Sequence, residues 1–169
     1  MRPSLRVLVF SLSLAAMQTT AVAVKAAVVN CSRLANIEVA VALNAITTFS
    51  QTFVNVPDMT LSFTQGGTSS GCVLVRYSAE VLSSPGTSGD NDQMIVRPLL
   101  DGSIQSVPPQ SDLTSDDDED HDRRFLRAHS FEFLFASVSP GPHIIVMQWR
   151  GTQSSVMNKR SRVTTVLHR

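Results

Sequence analysis

Residues 130–150 read SFEFLFASVSPGPHIIVMQWR. Phe131, Phe133 and Phe135 recur at period two with Glu132 and Leu134 between them. That alternation marks a strand that packs one face and turns the other outward. Pro140-Gly141-Pro142 follows. Proline presets φ and glycine tolerates positive φ, so this is a turn, and Pro142, with no N–H to give, sets the earliest start of the next strand. Beyond it, Ile145, Met147 and Trp149 alternate with Ile144, Val146, Gln148 and Arg150. The first set is the core face, because Gln148 and Arg150 would be costly to bury unpaired. In that company Trp149 reads as a core residue, not as a sugar-stacking platform.

The same grammar extends in both directions. In residues 161–169 (SRVTTVLHR), Val163, Thr165 and Leu167 alternate with Thr164, Val166 and His168, and β-branched residues favour a strand. Residues 72–81 form a strand with Val73, Val75 and Tyr77 on one face. Residues 93–100 form another, in which Pro98 marks an edge or a bulge. Asp101-Gly102 is a hairpin turn leading into a strand over 103–107, stopped by Pro108-Pro109. Residues 48–56 and 59–64 read as two strands split at Pro57-Asp58. In residues 33–46 the alanines suit a helix, but Ile37, Val39 and Val41 at period two favour a strand. Short strands divided by Gly, Pro, Ser and Asp turns predict an all-β protein, an antiparallel β-sandwich of jelly-roll-like form.

Several of these pieces carry a resemblance. Ser130-Phe131 with Phe133 and Phe135, Ser139-Pro140-Gly141 with His143, Gln148-Trp149-Arg150, and Ser161-Arg162 with Thr165-Val166 and Arg169 resemble the closing strands of small secreted bacterial β-sandwich proteins of uncharacterised function. They are also similar to the endings of phage-type structural β-domains. Residues 53–57, 61–67 and 72–75 fit the same picture, so the likeness runs from about residue 43 to the end. It implies a β-domain and transfers no chemistry.

A chain of 169 residues suggests one domain, and its zero formal charge gives no basic excess for nucleic acid. Residues 1–23 read as a signal peptide. Arg2 and Arg6 make the positive start, residues 7–17 (VLVFSLSLAAM) are apolar, and Ala21-Val22-Ala23 is a cleavage site, with a second ending at Ala26. The apolar run is shorter than the roughly 20 residues a membrane span needs, and no later stretch spans. The expected organisation is therefore a leader over 1–23, an N-terminal segment over 24–42, and a β-sandwich over 43–169 with an acidic loop at 111–122. Secretion or a periplasmic location follows, and there Cys31 and Cys72 are expected to form a disulfide. It would close a loop of about 41 residues, worth roughly 3–4 kcal/mol on chain-entropy grounds.

The acidic loop holds half of the carboxylates, and Asp116, Asp118, Asp120 and Asp122 are the residues to weigh as calcium ligands. Adjacent residues do not all face one point, and the EF-hand spacing is absent. The loop reads as solvated and partly neutralised by Arg123, Arg124 and Arg127, so no cofactor is expected. His129, His143 and His168 would make a zinc site only if strands brought them together. No Gly-x-Ser-x-Gly elbow and no His-x-x-x-His pair occurs, and the expectation is a protein that is not an enzyme.

The predicted function is a non-catalytic binding or structural module outside the cytoplasm. Loops 83–92 and 108–124, or an outer sheet face, would meet a glycan, an envelope component or a protein subunit. Two alternatives stand beside it. One is a secreted effector acting on a host cell, because Arg124-Phe125-Leu126-Arg127 resembles the Arg-x-Leu-Arg motif of translocated oomycete effectors; here it lies in the second half of the chain, behind the acidic run. The other is a hydrolase or metal-dependent enzyme without a recognisable motif.

Overall fold

A computed structural model describes residues 31, 33–84, 93–103, 106–115, 126–151 and 156–169. Among the described residues nine strands run β1 (Asn36–Ala42), β2 (Ile46–Thr48), β3 (Val54–Gln65), β4 (Gly71–Ser84), β5 (Gln93–Leu100), β6 (Ser111–Ser115), β7 (Leu126–Val138), β8 (Gly141–Gly151) and β9 (Val156–His168). They form two antiparallel sheets. Sheet A has the order β1-β9-β4-β7, with β2 also paired to β9; sheet B has the order β3-β8-β5-β6. No helix among the described residues is long and apolar enough to cross a membrane.

Side chains from the inner faces of both sheets interdigitate to make the core. β4 contributes Val73, Val75, Tyr77, Ala79 and Val81; β7 contributes Phe133 and Phe135; β8 contributes Ile145, Met147 and Trp149. Met94, Val96 and Leu100 from β5 and Val56, Met59 and Phe63 from β3 complete it. The expected core face of β8 is thus buried, Trp149 included. Phe131 is only partly buried, at the core's margin.

The least obvious inward face belongs to β9. It buries Arg162, Thr164, Val166 and His168, while Val163, Thr165 and Leu167 face outward. Arg162 is wholly enclosed, opposite Ala42 on one neighbouring strand and Ala79 on the other. Two small side chains leave room for the guanidinium, which donates to the Asn44 carbonyl at 2.7 Å and to Asn44 Oδ1 at 3.1 Å. Thr164 Oγ1 donates across the core to Met59 Sδ.

The observed elements differ from the expected ones in two places. The strand predicted over 59–64 and the end of the one predicted over 48–56 are one long strand, β3, whereas Thr48 closes β2 and residues 49–53 link the two. Pro57-Asp58 makes a bulge in β3, with Asp58 at φ 62°, instead of ending it. Of the strand predicted over 103–107, residues 104 and 105 lie outside the described residues. Ser103 closes the Asp101-Gly102 hairpin against Leu100, and Val107 exchanges two backbone hydrogen bonds with Leu134 of the other sheet. Pro108 and Pro109 have no N–H with which to continue a ladder. Second, β1, within the expected N-terminal segment 24–42, is a strand of sheet A. Pro98 is accommodated because the β6 pairing of β5 ends at Val96, which makes β5 locally an edge.

Candidate functional site

The Cys31–Cys72 disulfide forms as expected, with the Cα atoms 5.3 Å apart. It ties the chain ahead of β1 to the start of β4. The calcium candidates Asp116, Asp118, Asp120 and Asp122 lie outside the described residues, as do Met1–Ala23, loop 85–92 and the Arg124-Phe125 half of the effector-like motif. Leu126 and Arg127 begin β7. Of the three histidines, His143 and His168 both pack against the Phe63 ring, at centroid distances of 5.5 and 5.0 Å, whereas His129 stacks on Phe131. The described residues contain no group of three or more His, Cys, Asp or Glu able to hold a metal ion.

Three arrangements stand out instead. The first joins the Asp101-Gly102 turn to the start of β8. Asp101 Oδ1 accepts the amide of Ile144 at 2.9 Å, and Oδ2 lies 2.6 Å from His143 Nδ1. His143 Nε2 lies 2.8 Å from the Ser139 carbonyl. Both partners of the ring are acceptors, an arrangement that favours the protonated ring. Partial burial pulls the His143 pKa down, but the bonds to Asp101 and Ser139 and the charge of Asp101 outweigh it and hold the pKa above the usual value. Burial likewise raises Asp101, and His143 with the Ile144 amide more than reverses that. A shallow cavity beside the pair is lined by Ser62, Phe63, Thr64, Pro142 and Ile144. The dyad superficially suggests a general base, yet both ring nitrogens are already engaged by acceptors within the fold.

The second arrangement covers one end of sheet B's outer face. Arg97 and Gln148 are cross-strand partners, as are Gln148 and Asn55. Arg97 Nε and Nη2 donate to Gln148 Oε1 at 2.9 and 2.8 Å, and Gln148 Nε2 donates to Asn55 Oδ1 at 3.0 Å. Phe53 leads into β3 and lies under both neighbouring arginines. The Arg97 guanidinium carbon is 3.7 Å from its ring centroid and that of Arg150 is 5.1 Å away. The positive face of such a pair is favourable over an aromatic ring.

The third arrangement is aliphatic and lies on the outer face of sheet A. Cross-strand register places Val107, Leu134, Leu74, Leu167 and Ile37 in one row across the sheet. From Ile37 the apolar stripe continues along edge strand β1 through Val39 and Val41 to Leu43. Ile37, Val39, Val41, Leu43 and Val107 are 51% to 75% exposed. Beside the row, Arg76 of β4 pairs with Glu132 of β7.

The period-two pattern of β1 was visible in the sequence, but its direction was not. Phe53 between the arginines gave no signal, because the three residues are far apart in the chain and meet only through sheet register. Asp101 was visible as a turn residue, and its capture of His143 was not. No protein-family model matches this chain, and no curated protein sequence matches it.

Proposed function

We propose that the chain is an exported, non-catalytic structural subunit with a jelly-roll sandwich, and that it associates with a second copy through the outer face of sheet A. The observation that carries the reading is the aliphatic row from Val107 to Ile37 with its continuation along β1. Soluble monomers rarely leave so regular an aliphatic surface to water, and patches of this kind mark interaction sites. Such a surface is self-complementary, because aliphatic side chains need only another aliphatic surface, and a two-fold contact brings the same patch to itself.

Strand order supports the jelly-roll part of the proposal. With β2 set aside, eight strands in the orders β1-β9-β4-β7 and β3-β8-β5-β6 alternate between sheets as in that architecture. The kinship with phage-type structural domains, drawn from the closing strands, is part of the same reading. The leader pattern over 1–23 and the disulfide support export. The engagement of both His143 nitrogens supports a structural role for the one Asp–His pair described here.

Sedimentation velocity on the oxidised protein tests the reading. Association should rise with concentration and disappear in the double variant Val39→Lys, Val41→Lys. Both side chains are more than half exposed, so the variant should remain folded. A wild-type protein that stays monomeric at every concentration sinks the proposal of a second copy. N-terminal sequencing of the exported product should begin at Val24 or Ala27; a product retaining Met1 removes the export reading.

A further inference from the structure

Arg97 and Arg150 raise a separate question on the opposite sheet. Two guanidinium groups share one aromatic ring, which brings like charges together on a sheet face. Among the described residues neither has a carboxylate within ion-pair distance. Asp112, the acidic side chain on the same face, sits two strands from Arg150 with Ile95 between them. Among the described residues, the acceptor held by Arg97 is the neutral oxygen of Gln148. Arg150 Nε is buried and has no hydrogen-bond partner among them. A buried donor without an acceptor is uncommon in folded proteins and calls for an explanation. Partial burial and then the charge of Arg150 both depress the pKa of Arg97.

We infer that Phe53, Arg97 and Arg150 form a binding site for an oxyanion, the sulfate, phosphate or carboxylate group of a ligand. Guanidinium groups recognise these anions through paired N–H donors. The ring of Phe53 and the oxygen of Gln148 fix the plane of Arg97, and Asn55 fixes Gln148 in turn, so the donors are held in place before the anion arrives. The guanidinium N–H groups of Arg97 and Arg150 that Gln148 does not engage are the donors on offer. The site is independent of the aliphatic face, because it lies on the other sheet.

The test is a titration of the oxidised full chain at constant ionic strength, following the arginine Nε–H signals by NMR. Inorganic sulfate, inorganic phosphate and acetate are compared, which separates tetrahedral from carboxylate anions. At least one should shift the Arg97 and Arg150 signals saturably, with a midpoint of about 1 mM. Arg150→Gln and Arg97→Gln should each weaken that binding at least about tenfold. Phe53→Leu should weaken it less, since it removes the cation–π support and no donor. Arg33→Gln removes a distant positive charge and should leave the midpoint unchanged. The proposal is overturned by shifts that stay linear to roughly 50 mM for all three anions, or by equal weakening in Arg33→Gln. The wild-type titration decides the matter even if a variant fails to fold.

Discussion

His143 and Asp101 are joined across the end of sheet B at 2.6 Å, and the same carboxylate also accepts the amide of Ile144. The pair links a hairpin turn to the first residues of β8, so its protonation state bears on folding. His143 has a folded pKa above its unfolded value of 6.5, so its contribution is fully present below that value and is lost as pH rises through the folded pKa. Asp101 has a depressed folded pKa, so its contribution is present above the unfolded value of 3.8 and is lost as pH falls through the folded one. The window of greatest benefit lies between those two unfolded values. The Asp101 carboxylate is about half exposed, so solvent screening limits the pair to about 0.5–1 kcal/mol. Denaturation of wild type and His143→Gln from pH 4 to 9 should show a gap that is widest in the window and narrows at alkaline pH. A gap that grows with pH would contradict the assignment.

The turn itself makes a second prediction. Asp101 has φ 50° and Gly102 φ 80°, and Leu100 and Ser103 exchange hydrogen bonds of 3.0 and 2.9 Å across them. A Cβ on Gly102 would meet nothing within 4 Å, so space is available and only the backbone resists. Gly102→Ala should cost about 1 kcal/mol, and Gly102→Asn less, because asparagine tolerates the left-handed region. Equal losses in urea denaturation would point to a cause other than φ.

Arg162 supplies a third. Burial pushes the phenol of Tyr77 well up, and the positive charge of Arg162 acts against that shift, so the two groups sense each other inside the core. Arg162→Ala removes a large enclosed side chain between Ala42 and Ala79 together with its bonds to Asn44. The expected loss is about 2–4 kcal/mol. Arg162→Met keeps most of the volume, and Asn44 is exposed enough for water to replace the lost donor, so the cost should stay below about 1.5 kcal/mol. Indistinguishable denaturation curves for wild type and Arg162→Ala would show that the arginine is not a packing element.

Much of the strand pattern was legible in the sequence because β4, β5, β7 and β8 each set aliphatic or aromatic residues at period two against polar ones. β9 and β1 are different. Val163 and Leu167 are more apolar than Arg162 and His168, yet they face outward, because this side of sheet A is itself aliphatic. Periodicity reports that two faces differ and does not say which one is enclosed. Pro57-Asp58 looked like an interruption because a bulge and a chain break use the same residue types. The clusters around Phe53 and His143 depend on residues 42 to 97 positions apart meeting by register, and no local pattern encodes that.

The disulfide gives the exposed stripe a dependence on redox conditions. β1 has one ladder neighbour in its sheet, β9, and the covalent tie at Cys31 fastens the chain just ahead of it to β4. Reduction frees that anchor and leaves the strand held by a single row of backbone bonds. Amide exchange across Asn36–Ala42 should then accelerate ahead of the other strands when a thiol reductant is added. A peeled β1 would carry off the surface on which the proposed pairing of copies rests, so that pairing would be confined to oxidising surroundings.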